Sequence, residues 1–195
     1  MLFRSKLNVT AKINVMGFSY GGLTTAVYNQ LYPAEVNKLV IIDGPVKFFS
    51  SHVADSLALV AGVPSMTNII VPQNLDDFRA MQKAVISKKI PMTRHLKLKI
   101  IRYYFSPALK QRQLQLNYLT DHQNIYQDYN YNLDKTSTLL IWGAKDGVVP
   151  PSVGEKLHER FPNSTRLIIF KKAKHDSHFR YPKKLNKEVV KFLSN

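Results

Sequence analysis

A serine between two glycines is the clearest chemical signal in this sequence. Ser19 stands in the segment Gly17-Phe18-Ser19-Tyr20-Gly21, after a short apolar run and before a stretch of helical character. Strand, sharp turn and helix in this order hold a serine hydroxyl on strained backbone at the carboxyl end of a strand. We expect Gly17 and Gly21 to let strand and helix pack without side-chain collisions. We expect the backbone N–H of Tyr20 to stabilise negative charge that develops beside the serine.

Two further polar residues follow predicted strands near the end of the chain. Asp146 comes after the apolar run 138–143, and His175 comes after the run 166–170. A serine hydroxyl is a poor nucleophile at neutral pH and needs a base within hydrogen-bond reach. His175 is suited to be that base, and Asp146 to orient its imidazole. Because the carboxyl ends of parallel strands meet in one crevice, residues this distant in sequence can lie together.

Each role has an alternative. His178 is the alternative base, since it lies in the same loop as His175. The three-residue spacing of these histidines also resembles a pair of metal ligands, although the sequence offers no third ligand near them. Asp43, which follows the apolar run 39–42, is the runner-up for the acid, and its simpler role is to end that strand. Ser19 alone is also compatible with a helix N-cap.

The segments around these residues resemble the α/β-hydrolases, nearest to the serine esterases and the monoacylglycerol-lipase-like members. The stretch from Trp142 to Pro150 is similar to the acid loop of the family. The stretch from Ala173 to Pro182 is similar to its histidine loop, with Lys174 where a glycine is usual. That departure leaves the local backbone geometry open, because a glycine there often permits an unusual turn.

The resemblance implies an α/β fold, in which a three-layer core with a parallel sheet carries a helical cap insertion. It divides the chain into core at residues 1–45, cap at 46–134 and core at 135–195. Relatives place several strands before the serine strand, and a loop among them supplies a second oxyanion donor. This sequence has no counterpart, so we expect an N-terminally incomplete core, either truncated or with its edge strand covered by another chain.

The resemblance also implies roles for individual residues and a function. The catalytic residues that it implies are Ser19, Asp146 and His175. It assigns the oxyanion contact to the Tyr20 N–H and places Phe18 and His178 against the substrate. It implies no cofactor and no metal. The implied function is a serine hydrolase that cleaves carboxylic esters through an acyl-enzyme on Ser19, and its implied substrates are small-molecule esters, lipid-like ones among them. The alternative is a catalytically impaired, truncated homologue that acts as a binding protein or remnant. Thioesters, small amides and carbon–carbon bonds stay open as substrates, because the cap that selects them is the least readable part.

Bulk composition fits one compact domain. The chain has 195 residues, of which 45% are hydrophobic and 21% charged, as in ordinary globular proteins. It has no cysteine, which suits a reducing compartment such as the cytoplasm and removes thiol and cysteine-ligated metal chemistry. No signal-peptide region or long apolar span is visible in the sequence, so we predict a soluble chain.

The formal net charge of +15 is the unusual bulk property. From Lys88 to Arg112 the sequence has eight Lys or Arg residues and no acid. One interpretation is weak contact with an anionic membrane surface, with Tyr103, Tyr104 and Phe105 among the residues that supply apolar contact. The interpretation we favour is a solvated helix face whose aromatic residues pack onto the core. No nucleic-acid-binding motif accompanies the charge, so we expect no nucleic-acid partner.

Overall fold

Four parallel strands form the sheet of the computed structural model, which describes residues 4, 6–46, 48–88, 90–121 and 133–194. The strands are β1 (Ile13–Phe18), β2 (Val36–Ile42), β3 (Ser137–Gly143) and β4 (Thr165–Phe170), and their spatial order follows the chain order. All three neighbouring pairs are parallel. The carboxyl ends of all four strands therefore lie along one edge of the sheet.

Helices connect and cover these strands. They are α1 (Tyr20–Leu31), α2 (Ser51–Ala61), α3 (Met66–Ile70), α4 (Leu75–Val85), α5 (Arg94–Ile100), α6 (Leu109–Asp121), α7 (Pro151–Arg160), α8 (Ser177–Arg180) and α9 (Pro182–Ser194). A π-helical turn (Ile101–Phe105) and a 3-10 turn (Ser106–Ala108) join α5 to α6, and a second 3-10 turn (Leu133–Lys135) precedes β3.

The central strands are buried on both faces. On one face, Leu39, Ile41 and Leu140 pack in a cluster with residues of α1 and α7. On the other face, Val40 and Leu139 pack in a cluster with residues of α9. This burial explains why β2 and β3 are almost continuously apolar instead of alternating, and it gives the three layers that the sequence predicts.

The strand and helix limits differ from the predicted ones in two places. In the sequence, residues 32–38 indicate a stop between a helix and a strand, but β2 already begins at Val36, which is buried and pairs with Ile13 of β1. Apolar residues recur at helical intervals from Val46 to Ala61 and predict a helix there, but the helix begins at Ser51, because the Ser50 side chain accepts a hydrogen bond from the Val53 N–H and caps the helix at that point.

The regular elements formed by the described residues between β2 and β3 are all helices or short helical turns. This is the segment that the sequence assigns to a cap. Residues 122–132, with the predicted pocket candidates Tyr126, Tyr129 and Tyr131, lie outside the described part of the chain. Within that described part, no helix combines the length and apolarity that a membrane crossing needs.

The turn between β1 and α1 is the most constrained part of the backbone. Ser19 has φ 52° and ψ −127°, in the positive-φ region that side chains rarely adopt. A Cβ on Gly17 would lie 2.0 Å from the Gly21 carbonyl oxygen, and one on Gly22 would lie 2.9 Å from the Gly44 Cα. A Cβ on Gly21 would meet nothing within 4 Å. The expectation that Gly21 avoids a collision is therefore wrong; Gly17 and Gly22 are the glycines that close packing requires.

This geometry predicts opposite outcomes for two substitutions within the motif. Gly17→Ala overpacks a backbone contact that has no flexible side chain to move, so we expect it to lower the free energy of unfolding by about 3 kcal/mol or more. Gly21→Ala adds a helix-favouring residue in open space, so we expect a change within about 1 kcal/mol of zero. Urea denaturation of both variants measures the difference, and equal losses of stability would contradict this account.

Candidate active site

The loops that follow the four strands bring four polar side chains to one edge of the sheet. Ser19 follows β1, Asp43 follows β2, Asp146 follows β3 and His175 follows β4. The strand ladders extend into these loops, because the Ser19 N–H donates to the Ile42 carbonyl at 2.9 Å and the Asp43 N–H to the Ile141 carbonyl at 2.9 Å. The sheet thus sets the spacing of the side chains that follow it.

Three of these side chains form a continuous hydrogen-bonded chain. The Ser19 Oγ lies 2.8 Å from the His175 Nε2, and the His175 Nδ1 lies 2.7 Å from the Asp146 Oδ2. A neutral imidazole whose Nδ1 donates to Asp146 leaves Nε2 free to accept from the serine hydroxyl. The structure therefore brings together all three residues that the sequence selects for chemistry.

The carboxylate of Asp146 is fixed by its own loop. Its Oδ1 accepts hydrogen bonds from the N–H groups of Val148 at 2.8 Å and Val149 at 2.9 Å. The Val149 carbonyl in turn accepts from the buried Trp142 indole N–H at 3.2 Å. With one oxygen held by the turn, the other points to His175 and fixes the orientation of the ring.

The surroundings of His175 raise its pKa above the ordinary value. Burial is the largest single effect and disfavours the imidazolium. The hydrogen bond to Asp146 and the charges of Asp146, Asp43 and Asp176 favour the imidazolium and together outweigh burial. An imidazole that takes up a proton readily, next to a serine hydroxyl, is suited to act as a general base.

Asp43 is completely buried beside this chain of hydrogen bonds. Its Oδ1 accepts from the Gly143 N–H at 2.8 Å, and its Oδ2 accepts from the Ser177 hydroxyl at 2.6 Å. Burial and the charge of Asp146 raise the pKa of Asp43 to about 7, against the opposing effect of His175. Its oxygens are bonded to these groups and not to the imidazole, so it occupies a different position from the orienting acid.

Sequence reasoning placed Asp43 only as a rival to Asp146 and did not identify Ser177 at all. The available signal for Asp43 was its place directly after a buried strand next to the serine strand. Nothing comparable marked Ser177, which lies in the histidine loop and reaches Asp43 only through the folded contact.

The remaining predicted site residues lie around the imidazole. The ring of Phe18 lies 5.0 Å from that of His175 and 4.1 Å from that of His178, measured between centroids. Burial and the charge of His175 lower the pKa of His178, and its Nδ1 is buried without a hydrogen-bond partner in the described part of the chain. Tyr20 is the first residue of α1, a position whose N–H has no acceptor within the helix.

The sequence leaves open whether the backbone at Lys174 adopts the unusual turn that a glycine at this position often permits. Among the described residues other than glycine, a positive φ occurs at Asn8, Ser19 and Asp43 and not at Lys174. The loop therefore accepts a lysine here without the strain that a glycine would relieve.

Asp43, Asp146 and His175 are also the described residues whose ligand-type atoms cluster within 4.8 Å of one another. The oxygens of both carboxylates and both ring nitrogens of His175 already take part in the hydrogen bonds given above. A metal ion would have to break the contact between His175 and Asp146 or those of Asp43. The arrangement fits a proton-transfer network better than a metal centre.

A cavity of about 560 Å³ opens beside Ser19 and His175. Its wall is mostly apolar, and the cap segment supplies most of it. The described lining residues from that segment are Phe49, Met66, Ile69, Ile70, Val71, Met81, Val85, Tyr104, Phe105, Ala108, Arg112, Gln115, Leu116 and Leu119. Met81 and Val85 belong to the helical repeat visible in the sequence, which was the available signal for their burial.

The aromatic residues of the basic run do not all pack inward. Tyr103 is 68% exposed and Tyr104 is 71% exposed, whereas Ile101 is buried. The favoured interpretation, that the aromatic residues of this run pack onto the core, is thus wrong for the two tyrosines. Tyr104 also borders the cavity, so this exposed surface adjoins the entrance to the site.

Comparison with characterised proteins gives relatives with several named activities. The chain is 25% identical over 187 residues to a 2-hydroxy-6-oxononadienedioate/2-hydroxy-6-oxononatrienedioate hydrolase of Burkholderia vietnamiensis, covering 93% of this chain and 62% of the relative. It is 25% identical over 165 residues to Lipase 3 of a Moraxella species, covering 83% of this chain and 50% of the relative. The chain thus spans less than two thirds of the length of these curated relatives.

Solved structures share the fold at lower identity. A meta-cleavage product hydrolase from Pseudomonas fluorescens superposes with a TM-score of 0.70 at 19% identity, over 98% of this chain and 68% of that one. An esterase from Exiguobacterium antarcticum superposes with a TM-score of 0.68 at 18% identity, over 99% of this chain and 70% of that one. Residues 3–181 match the sequence model of the family described as alpha/beta hydrolase fold. The chain therefore belongs to the alpha/beta hydrolase fold family.

Proposed function

We propose that this chain is a serine hydrolase that cleaves carboxylic esters with an apolar acyl group, through an acyl-enzyme on Ser19. The observation that carries the proposal is the continuous contact from the Ser19 Oγ through His175 to Asp146 at the wall of an apolar cavity. A serine at this position, with a base at its oxygen and an acid behind the base, is the arrangement that nucleophilic catalysis needs.

Each proposed step uses a contact present in the folded chain. The Ser19 Oγ attacks the ester carbonyl carbon while its proton passes to the Nε2 of His175. The tetrahedral intermediate collapses, the bond to the alcohol oxygen breaks, and Nε2 returns the proton to that oxygen. Water then attacks the acyl-enzyme with the same base, which releases the acid and restores Ser19.

Charge that develops on the carbonyl oxygen is proposed to face the N–H of Tyr20. This group lies at the amino end of α1, where the N–H groups and the helix dipole favour negative charge. Phe18 and His178, next to the imidazole, are proposed to contact the substrate near the scissile bond.

The cavity lining favours an apolar acyl chain over a substrate with two carboxylates. The curated relatives include hydrolases named for a dioate substrate. Among the described lining residues here, Arg112 is the permanently charged side chain, and it is exposed to solvent. Away from Arg112, a second carboxylate would be buried among Met, Ile, Leu and Phe side chains, which is costly.

The second candidate is a binding protein that retains these contacts without significant turnover. One oxyanion donor, the Tyr20 N–H, is assigned within the described residues, and removal of one such donor costs on the order of 10² to 10³ in rate.

A cytoplasmic location belongs to the proposal and rests on the cysteine-free sequence.

We also propose that an anionic lipid surface contacts the basic run between Lys88 and Arg112. Exposed Tyr103 and Tyr104 accompany the cationic residues there, and Tyr104 borders the cavity. Basic and aromatic side chains together suit the interface of a bilayer that carries negative charge. Contact at this place would bring lipid-like esters close to the cavity entrance.

Covalent labelling tests the hydrolase proposal directly. A fluorophosphonate probe should react with Ser19 in the folded protein, Ser19→Ala should abolish labelling, and His175→Ala should slow it by about 10² to 10⁴. Ser56→Ala is the matched control, since that exposed hydroxyl bonds only to the His52 carbonyl of its own helix, and it should label normally. Folded wild-type protein that remains unlabelled would rule out the enzyme and favour the binding protein.

The raised pKa of His175 predicts the acid side of the pH profile. The base must be neutral, so kcat/KM should fall as pH drops through a pKa above the ordinary histidine value of about 6.5. Asp43→Asn removes the negative charge that Asp43 carries above its pKa of about 7, and because that charge favours the imidazolium, the fall should move to lower pH. Ester hydrolysis measured from pH 5 to 9 checks this, and a shift to higher pH in the variant would contradict it.

Co-sedimentation with vesicles tests the lipid contact. Vesicles that contain phosphatidylserine should pull down the protein at low salt, and binding should weaken as salt screens the charges. The double variant Tyr103→Ser with Tyr104→Ser should bind less, while Leu59→Ser, which removes an exposed apolar side chain of α2, should bind like the wild type. Equal sedimentation with neutral phosphatidylcholine vesicles would defeat the proposal.

A further inference from the structure

The carboxyl end of α4 contacts both loops that carry the acid and the base. It touches the acid loop at Gly147, whose N–H donates to the Ala84 carbonyl at 3.2 Å. A Cβ on Gly147 would lie 2.9 Å from the Ala84 Cα, so the helix approaches the acid loop at a distance that only glycine permits. Gly147 directly follows Asp146, so this contact lies beside the group that orients the imidazole.

Ser87, just beyond the end of α4, bonds to the histidine loop on both sides of His175. Its N–H donates to the Asp176 Oδ2 at 2.7 Å, and its hydroxyl donates to the Asp176 Oδ1. The same hydroxyl oxygen accepts from the Lys174 N–H at 2.8 Å. The Lys174 ammonium adds a bond to the Lys83 carbonyl of α4 at 2.6 Å.

The Asp176 side chain does not cap the helix that it precedes. It occupies the N-cap position of α8, where an aspartate normally accepts from the first N–H groups of the helix, yet its side chain makes no such bond. Both of its oxygens bond to Ser87 instead. The histidine loop is thus tied to α4 at the expense of its own helix cap.

The helix that makes these contacts also forms part of the cavity wall. Met81 and Val85 of α4 line the cavity, while Asn74 caps its amino end and Phe78 is 1% exposed. The helix is therefore held along its length, and its carboxyl end reaches from the cavity wall to both loops.

We infer that Ser87 is a positioning residue, which acts through Lys174 and Asp176 to hold His175 between Ser19 and Asp146. The inference rests on the proposed hydrolase function for its kinetic consequences, although the contacts themselves do not depend on it. Without the Ser87 hydroxyl, the Lys174 N–H loses its acceptor and Asp176 loses one of two donors, so the backbone around His175 gains freedom. Misplacement of a base by a fraction of an ångström lowers the rate of proton transfer without altering the cavity that binds the acyl group.

Steady-state hydrolysis of a p-nitrophenyl ester, with fluorophosphonate labelling in parallel, tests the inference. Ser87→Ala should lower kcat and the labelling rate by on the order of tenfold, with KM changed by less than about twofold. Ser87→Thr keeps the hydroxyl and should restore kcat. Ser87→Cys fills the same space with a weaker donor, should fall between the two, and replaces the alanine variant if that one does not fold. The control variant Ser56→Ala should match the wild type.

A merely structural role gives a different pattern. In that case Ser87→Ala lowers Tm but leaves kcat per folded molecule unchanged, and this result overturns the inference. A loss confined to KM overturns it as well, because it places Ser87 in acyl binding and not in positioning of the base.

Proton NMR separates this test from the proposed function. The His175 Nδ1 proton, shared with Asp146 in a buried short contact, should give a low-field resonance in the wild type that broadens or disappears in Ser87→Ala. If the wild type is not labelled but the resonance shows this change, the positioning role holds and the hydrolase proposal fails. An unchanged resonance in Ser87→Ala contradicts the positioning role whether or not the protein turns over.

Discussion

Two hydrogen bonds to one buried imidazole impose the main constraint on this structure. His175 must lie 2.8 Å from the Ser19 Oγ and 2.7 Å from the Asp146 Oδ2, and these partners follow different strands of the sheet. The parallel sheet meets most of this requirement, because β1, β3 and β4 end along one edge and their ladders continue into the loops. Burial of the ring alone would disfavour its charged form, and the surrounding carboxylates offset that cost.

Local signals made the serine turn and the two later loops readable from the sequence. A glycine, a serine and an apolar run mark the end of β1, and the continuous apolar runs of β2 and β3 indicate strands buried on both faces. The errors occurred where local pattern competes with tertiary contact. Val36 was predicted as part of the stop at residues 32–38, but pairing with Ile13 extends β2 back to it.

The motif around Ser19 predicted that close packing requires a glycine on both sides of the serine, but the geometry requires only one of these two glycines. Both glycines that flank Ser19 fit the pattern, yet only Gly17 lies against another backbone, where the Gly21 carbonyl oxygen blocks any side chain. Sequence spacing identifies where a turn is, but the side of the turn that is crowded depends on how α1 lies across β1. The exposure of Tyr103 and Tyr104 was not predictable from helical spacing either, because both lie in a π-helical turn, which departs from the 3.6-residue repeat.

The contacts that carry the most specific information lie between residues far apart in the chain. Asp43 and Ser177 lie 134 residues apart in the chain, Ser87 and Asp176 lie 89 residues apart, and both β3 and β4 come between the partners of each pair. Neither pair has a motif, because a serine hydroxyl and a carboxylate become partners only when the fold brings them together. The contact between Ser87 and Asp176 links the cap segment to the sheet edge where the polar side chains meet, and the contact between Asp43 and Ser177 joins two loops of that edge.

The bond between α4 and the histidine loop has a consequence for changing substrate preference in this scaffold. A cap transplanted from a relative would bring new cavity walls but would leave Asp176 and the Lys174 N–H facing whatever residue then occupies position 87. Under the role inferred for Ser87, the segment that lines the cavity also affects the reactivity of Ser19. A designer who exchanges the cap must carry over a serine or threonine at that junction, or rebuild the loop that receives it.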